Sequence, residues 1–175
     1  EDTEDDDENA EPVYVPEQDY EETPEVTHFS GPGVFANVET GDGRFIEPDA
    51  LYWDSFPMPL MFSDESTERH LGSRMCGSIT NITRVEMAQD IENMRDNPAV
   101  AYILEGFFHN TPVGRTAAEM VRNGYLNGVS ADLDSAAGVV TESGSSVDDG
   151  PMMVIQKARI RGATLVPFPA FEQAK

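Results

Sequence analysis

From Phe29 onward the chain is a series of short apolar runs, each interrupted by Gly, Pro or polar turn residues. That rhythm restricts the fold to short strands joined by frequent turns. Residues 33–39 read as a strand closed by Thr40, Gly41, Asp42 and Gly43, and residues 58–62 form an apolar run behind Pro57. Residues 74–83 alternate, with Met75, Gly77 and Ile79 on one side and Cys76, Ser78 and Thr80 on the other. Residues 100–108 are apolar almost throughout, as a buried strand requires. Runs at 126–133, 138–141, 152–161 and 163–166 bring the set to about eight strands, enough for a small closed or nearly closed β-barrel.

Two helices are expected beside it. Residues 85–95 place Met87, Ile91 and Met94 at helical spacing, with Asn97 and Pro98 as the stop. The methionine stripe reads as core packing rather than a ligand box. Residues 114–123 carry Thr116 and Glu119 in capping-box spacing, and Gly124 supplies the end. The expected class is therefore α+β, β-rich.

Charge separates the chain into two parts. It holds 33 acidic residues against 11 Lys and Arg, a net −22 over 175 residues, and no basic residue precedes Arg44. Thirteen acids fall within residues 1–25, and without them the charge is −9. Residues 1–27, acidic and interrupted by Pro12, Pro16 and Pro24, are expected to be a disordered, solvated tail. Residues 28–175 form the folded domain. A surface this negative argues against phosphate-mediated nucleic-acid binding. No apolar run approaches the ~20 residues of a membrane-spanning helix. The acidic start does not match a secretory signal, and Glu at position 1 suggests a processed or partial chain. A single cysteine, Cys76, excludes an internal disulfide and a Cys-rich metal site, which fits a reducing compartment.

Few residues offer chemistry. His28 borders the tail and His109 ends an apolar run, whereas His70 follows the polar stretch 63–69 and leads into a strand. A general base belongs at the end of a rigid element facing a cleft, and His70 meets that condition. Ser130 lies in Gly124, Tyr125, Leu126, Asn127, Gly128, Val129, Ser130, where Gly128 allows close backbone approach. It becomes a nucleophile only if a base takes its proton and donors hold the oxyanion. On the residues alone, a hydrogen-bonded strand serine is the simpler reading. Cys76 reads as a small buried apolar residue rather than a nucleophile. No Gly-x-Ser-x-Gly elbow, dinucleotide fingerprint, phosphate loop or His-Glu-x-x-His helix is present.

Four blocks, taken in order and spacing, carry a family resemblance. They are Thr40–Arg44 with Ala50–Trp53; Phe56–Met61 leading to Arg69, His70, Leu71, Gly72 and then Gly77, Ser78, Ile79; Gly124–Ser130; and Ala158–Phe171. Together they resemble the tailed-bacteriophage prohead proteases, or capsid maturation proteases, related in fold to the herpesvirus assemblins. The resemblance spans about Phe29 to Ala174.

It implies an assemblin-like barrel and a serine endopeptidase that cleaves scaffold or capsid protein, and itself, during procapsid maturation. His70 matches the family's general base and Ser130 its nucleophile. The third member departs from the pattern, because residues 156–164 hold neither acid nor histidine. Asp132 is the first substitute, on the Ser130 face of a regular strand and ~6.5 Å along it. Asp134 is a weaker one, and a dyad is the remaining option. Arg159 and Arg161 match a basic strand near the assemblin oxyanion site. No metal or cofactor is implied. The implied partners are the phage major capsid and scaffold proteins as substrates, with no nucleic acid, no membrane and room for a homo-oligomer. The implied location is the procapsid interior in the host bacterial cytoplasm. The second expectation, from another class, is an inactive assembly protein acting through its acidic tail.

Overall fold

The structure, a computed structural model, describes residues 25–40, 43–62, 72–87, 98–141 and 151–167. Most of the expected tail, and His70, lie outside these residues. Eight strands and one helix follow in the order β1 (His28–Ala36), β2 (Arg44–Ile46), β3 (Leu51–Tyr52), β4 (Met58–Phe62), β5 (Arg74–Glu86), β6 (Val100–Phe108), α1 (Pro112–Arg122), β7 (Gly128–Thr141) and β8 (Met152–Val166). The fold is β-rich with a single short helix among the described residues.

All eight strands belong to one curled sheet. β1, β6, β5 and β4 are antiparallel neighbours, and β4 joins β8 in parallel. β2, β3 and β4 lie in turn beside residues 153–155, 158–159 and 163–165 of β8, like pieces of one broken strand. β7 covers β8 in antiparallel pairing from Gly128↔Val166 to Thr141↔Met152. The sheet then curls until β7 packs beside β1, yet no ladder joins those two strands. Among the described residues it is a half-barrel, with no ladder between β1 and β7.

Apolar side chains of β1, β4, β5, β6 and β8 fill the concave side. Phe35, Leu60, Phe62, Ile79, Tyr102, Leu104 and Ile160 are all almost fully buried. Each aliphatic or aromatic side chain of this kind contributes about 1.5–3 kcal/mol on burial. The helix α1 closes one end of the core with Ala117 and Ala118. Gly114 makes that closure possible, because a Cβ there would run into the carbonyl oxygens of His109 and Cys76.

Several local expectations are corrected. The helix starts at Pro112, two residues early, because Thr111 is the cap: its side chain accepts the Gly114 N–H at 3.1 Å, with Pro at the first turn. Thr116 is an interior helical residue. The stop is at Gly124, φ 74°. Val85 and Glu86, expected to open a helix, extend β5 by pairing with Ala101 and Val100, and the Met87 N–H still donates to Ala99 O. The rest of that expected helix, residues 88–95, lies outside the described residues. The alternation expected in 74–83 is broken by a register shift that leaves Cys76 unpaired opposite Leu60/Met61. Cys76 therefore turns inward, fully buried, while Met75 is 53% exposed. The expected strands 126–133 and 138–141 are one strand with irregular pairing between Asp134 and Ala137, where Ser135 adopts φ 49°.

Candidate active site on the open edge of the sheet

Ser130 is the third residue of β7, paired with Thr164 of β8 and half-buried. Val129, Ala131 and Leu133 turn to the core. Ser130 and Asp132 occupy the alternate positions. Thr164 is 1% exposed, and its Oγ1–H donates to Asp132 Oδ2 at 3.0 Å. The three polar side chains thus share one face, with Thr164 orienting the carboxylate. Thr164 was not singled out from sequence; its only signal is a hydroxyl in the apolar run Gly162 to Val166.

The strand itself matters as much as its side chains. Among the described residues, β7 has a hydrogen-bonded neighbour on one side only. An edge strand leaves alternate backbone N–H and C=O groups unpaired by any ladder. On that open side Ser130 lines a narrow space of about 20 Å³ with Val34, Thr40, Arg44 and Ile46.

His70 lies outside the described residues. The described ends of its segment are nevertheless informative. The chain leaves β4 at Phe62, which pairs with Leu165, and Leu165 pairs in turn with Val129 beside Ser130. Two strand spacings, about 10 Å, separate Phe62 from Val129. The return is through Gly72, φ 83°, into Arg74, itself the partner of Phe62. Among the described residues, Phe62 is thus two strands from Val129 and Arg74 three.

The other candidates are placed as follows. Asp134 pairs with Arg159 across the β7–β8 ladder. Arg159 Nε and Nη2 donate to the two Asp134 oxygens at 2.8 Å each, and Nη1 donates to Asp54 Oδ2 at 2.6 Å. Arg161 Nε is 3.3 Å from Asp134 Oδ2. The Arg159 guanidinium holds the Asp134 carboxyl below its ordinary range, and the two carboxylates raise Arg159 in turn. This cluster sits five residues along β8 from Thr164, roughly 16 Å of strand. Arg159 is occupied there, while Arg161 is 65% exposed beside a cleft shared with Asp54, Pro57 and Pro59.

A second serine has an imidazole at hand. Ser78 Oγ of β5 lies 2.8 Å from His109 Nε2, and the His109 ring packs on Phe107. In the sequence Ser78 reads as one face of an alternating strand and His109 as the end of an apolar run, and only the β5–β6 register brings them together. Cys76, two residues before Ser78, donates Sγ–H to Leu60 O at 3.4 Å. Burial pushes its thiol up to about 12, so it stays protonated. Among the described residues, no group of three His, Cys, Asp or Glu side chains is placed to hold a metal ion. Nor is any helix among them long and apolar enough to cross a membrane.

Comparison with family models finds no match, and comparisons with curated proteins and with solved structures find none either.

Proposed function

We propose that the chain is a serine endopeptidase of the capsid-maturation type, with Ser130 as nucleophile and His70 as general base. The observation that carries this reading is the position of Ser130. It stands half-buried on a strand that is paired on one side only among the described residues, shares a face with Asp132 and Thr164, and lies two strands from Phe62, the last described residue of β4.

In this mechanism His70 accepts the Ser130 proton as Oγ bonds to the scissile carbonyl carbon. The carbonyl oxygen becomes an oxyanion, held by backbone N–H groups of β7. Collapse breaks the C–N bond, and His70 gives its proton to the departing amine. Water then attacks the acyl-enzyme, again losing a proton to His70, and the second collapse returns that proton to Ser130. Asp132, oriented by Thr164, takes the place of the third member and steadies the imidazolium. Arg159 serves structure, through Asp134 and Asp54.

The proposed substrates are the scaffold and major capsid proteins within the procapsid, where confinement raises local substrate concentration. The test is co-expression of the chain with its capsid protein. Shortening of the capsid protein by the wild type, and its loss with Ser130→Ala and with His70→Ala, is the expected result. Unchanged processing in both variants, or assembly that depends on residues 1–27 alone, returns the chain to the role of a non-hydrolytic assembly protein.

A further inference from the structure

We propose that residues 12–16 of this chain dock into an apolar cavity at the start of β7, with Tyr14 as the inserted side chain. This stands apart from the endopeptidase reading.

The cavity sets the terms. It has a volume of about 290 Å³ and is bounded by Phe29, Leu104, Phe108, Val121, Val129 and Leu165. None of the described residues lining it is charged. An acidic side chain entering it would lose hydration with no counter-charge, whereas an aliphatic or aromatic one gains by burial. An apolar cavity of about 150 Å³ already takes a benzene ring, so this one has room for a tyrosine ring. Two exposed polar residues, Ser30 and Asn127, stand among the lining residues. A tyrosine suits that mixture, because its ring is apolar and its hydroxyl needs a polar partner.

The chain itself carries a segment that meets those terms close by. Within residues 1–25 the longest run without an acid is Pro12, Val13, Tyr14, Val15 and Pro16, flanked by Glu11 and Glu17. The flanking carboxylates stay in water while the apolar side chains between them are buried. Pro12 and Pro16 restrict the backbone before docking and so lower the ordering cost. Reach is sufficient: the eleven residues from Tyr14 to Glu25, the first described residue, extend up to about 36 Å. Charge favours the same path. Glu25, Val26 and Thr27 line a cleft with Arg115, Glu119 and Arg122 of α1, and Phe108 bounds both that cleft and the apolar cavity. Glu17, Asp19, Glu21 and Glu22 therefore pass two guanidinium groups on the way. A tether this short holds the segment at a millimolar effective concentration, so weak docking suffices.

Chymotrypsin cuts after tyrosine, which makes Tyr14 a reporter of docking and Tyr20, in the acidic stretch, its control. The full chain is digested briefly and cleavage after each tyrosine is timed by mass spectrometry, with thermal melts to confirm that each variant folds. Gly31→Leu and Val121→Phe add bulk to the cavity from the β1 and α1 sides, and a Cβ added at Gly31 meets nothing within 4 Å. In at least one folded variant, cleavage after Tyr14 is expected to be about tenfold faster than in the wild type, since proteolysis follows the undocked fraction. Cleavage after Tyr20 should stay unchanged. A second measurement leaves the folded domain untouched: hydrogen exchange in residues 126–129 is expected to be slower in the wild type than in Tyr14→Ser. Equal cleavage after Tyr14 in the wild type and every folded cavity variant overturns the proposal. Equal exchange in the wild type and Tyr14→Ser also overturns it, and assigns the cavity to another occupant.

Discussion

Ser78 and Ser130 make an instructive pair, because the better-formed hydrogen bond belongs to the less suitable serine. Ser78 has an imidazole at 2.8 Å. It nevertheless sits on β5, flanked by the hydrogen-bonded strands β4 and β6, with Pro59 and Phe107 as its direct neighbours. The backbone there is committed to ladders, so few donors remain to receive an oxyanion. Ser130 shows the reverse. Among the described residues its strand is paired on one side only and borders an apolar cavity. Acyl transfer needs room for a substrate and donors for its developing charge as well as a base. The comparison teaches that a lone Ser–His contact is weaker support for catalysis than a serine on an accessible edge.

The largest effect breaks or upholds that comparison outright. Ser130→Ala is expected to lower the cleavage rate by about 10³-fold or more, while Ser78→Ala stays within a few-fold of the wild type. The same assay across pH adds His70: the rate falls as the solution is acidified, because a protonated imidazole ceases to act as a base. A large loss in Ser78→Ala would move the site to β5.

Cys76 sharpens the comparison from the β5 side. With its thiol pushed up to about 12, the thiolate fraction at pH 8 is expected to be roughly 10³-fold below that of an exposed cysteine. Reaction with a disulfide reagent should therefore be slow in the native chain and fast after unfolding. Fast native labelling would mean that the region around Ser78 opens to solvent.

Asp132 probes the Ser130 side. Asp132→Asn keeps an acceptor for Thr164 but removes the charge that steadies an imidazolium, and is expected to cut kcat on the order of 10²-fold with KM little changed. An equal loss in Asp134→Asn and none in Asp132→Asn would transfer the role to the Arg159 cluster.

The smallest effect concerns stability. The Asp134 carboxyl is held below its ordinary range by Arg159, so its stabilising contribution is present above the unfolded value of about 3.9 and is lost as pH falls through its lower folded value. Thermal melts of wild type and Asp134→Asn should differ by a few degrees at neutral pH and converge in strong acid. Parallel curves at every pH would remove Asp134 as a source of the difference.

Much of the architecture is legible in local pattern. The runs at 58–62 and 100–108 coincide with β4 and β6, and Gly124 ends the helix where a left-handed residue is needed. What escapes is whatever depends on pairing between distant segments. β2 and β3 are two or three residues long and are strands only because β8 lies alongside. The inward turn of Cys76 comes from a bulge opposite Leu60 and Met61, which alternation cannot reveal. Pro112 and Thr111 did carry a start signal for the helix, overshadowed by the capping-box spacing of Thr116 and Glu119. At the site, the Ser130 and Asp132 face follows from a period of two, while the Thr164 bond to Asp132 and the Ser78–His109 contact follow from register alone.

The most direct measurement is labelling with a fluorophosphonate that reacts only with activated serines, followed by peptide mapping of the modified residue. The account expects a single adduct on Ser130 that disappears in His70→Ala and forms normally in Ser78→Ala. An adduct on Ser78, or none on the native chain at pH 8, contradicts it.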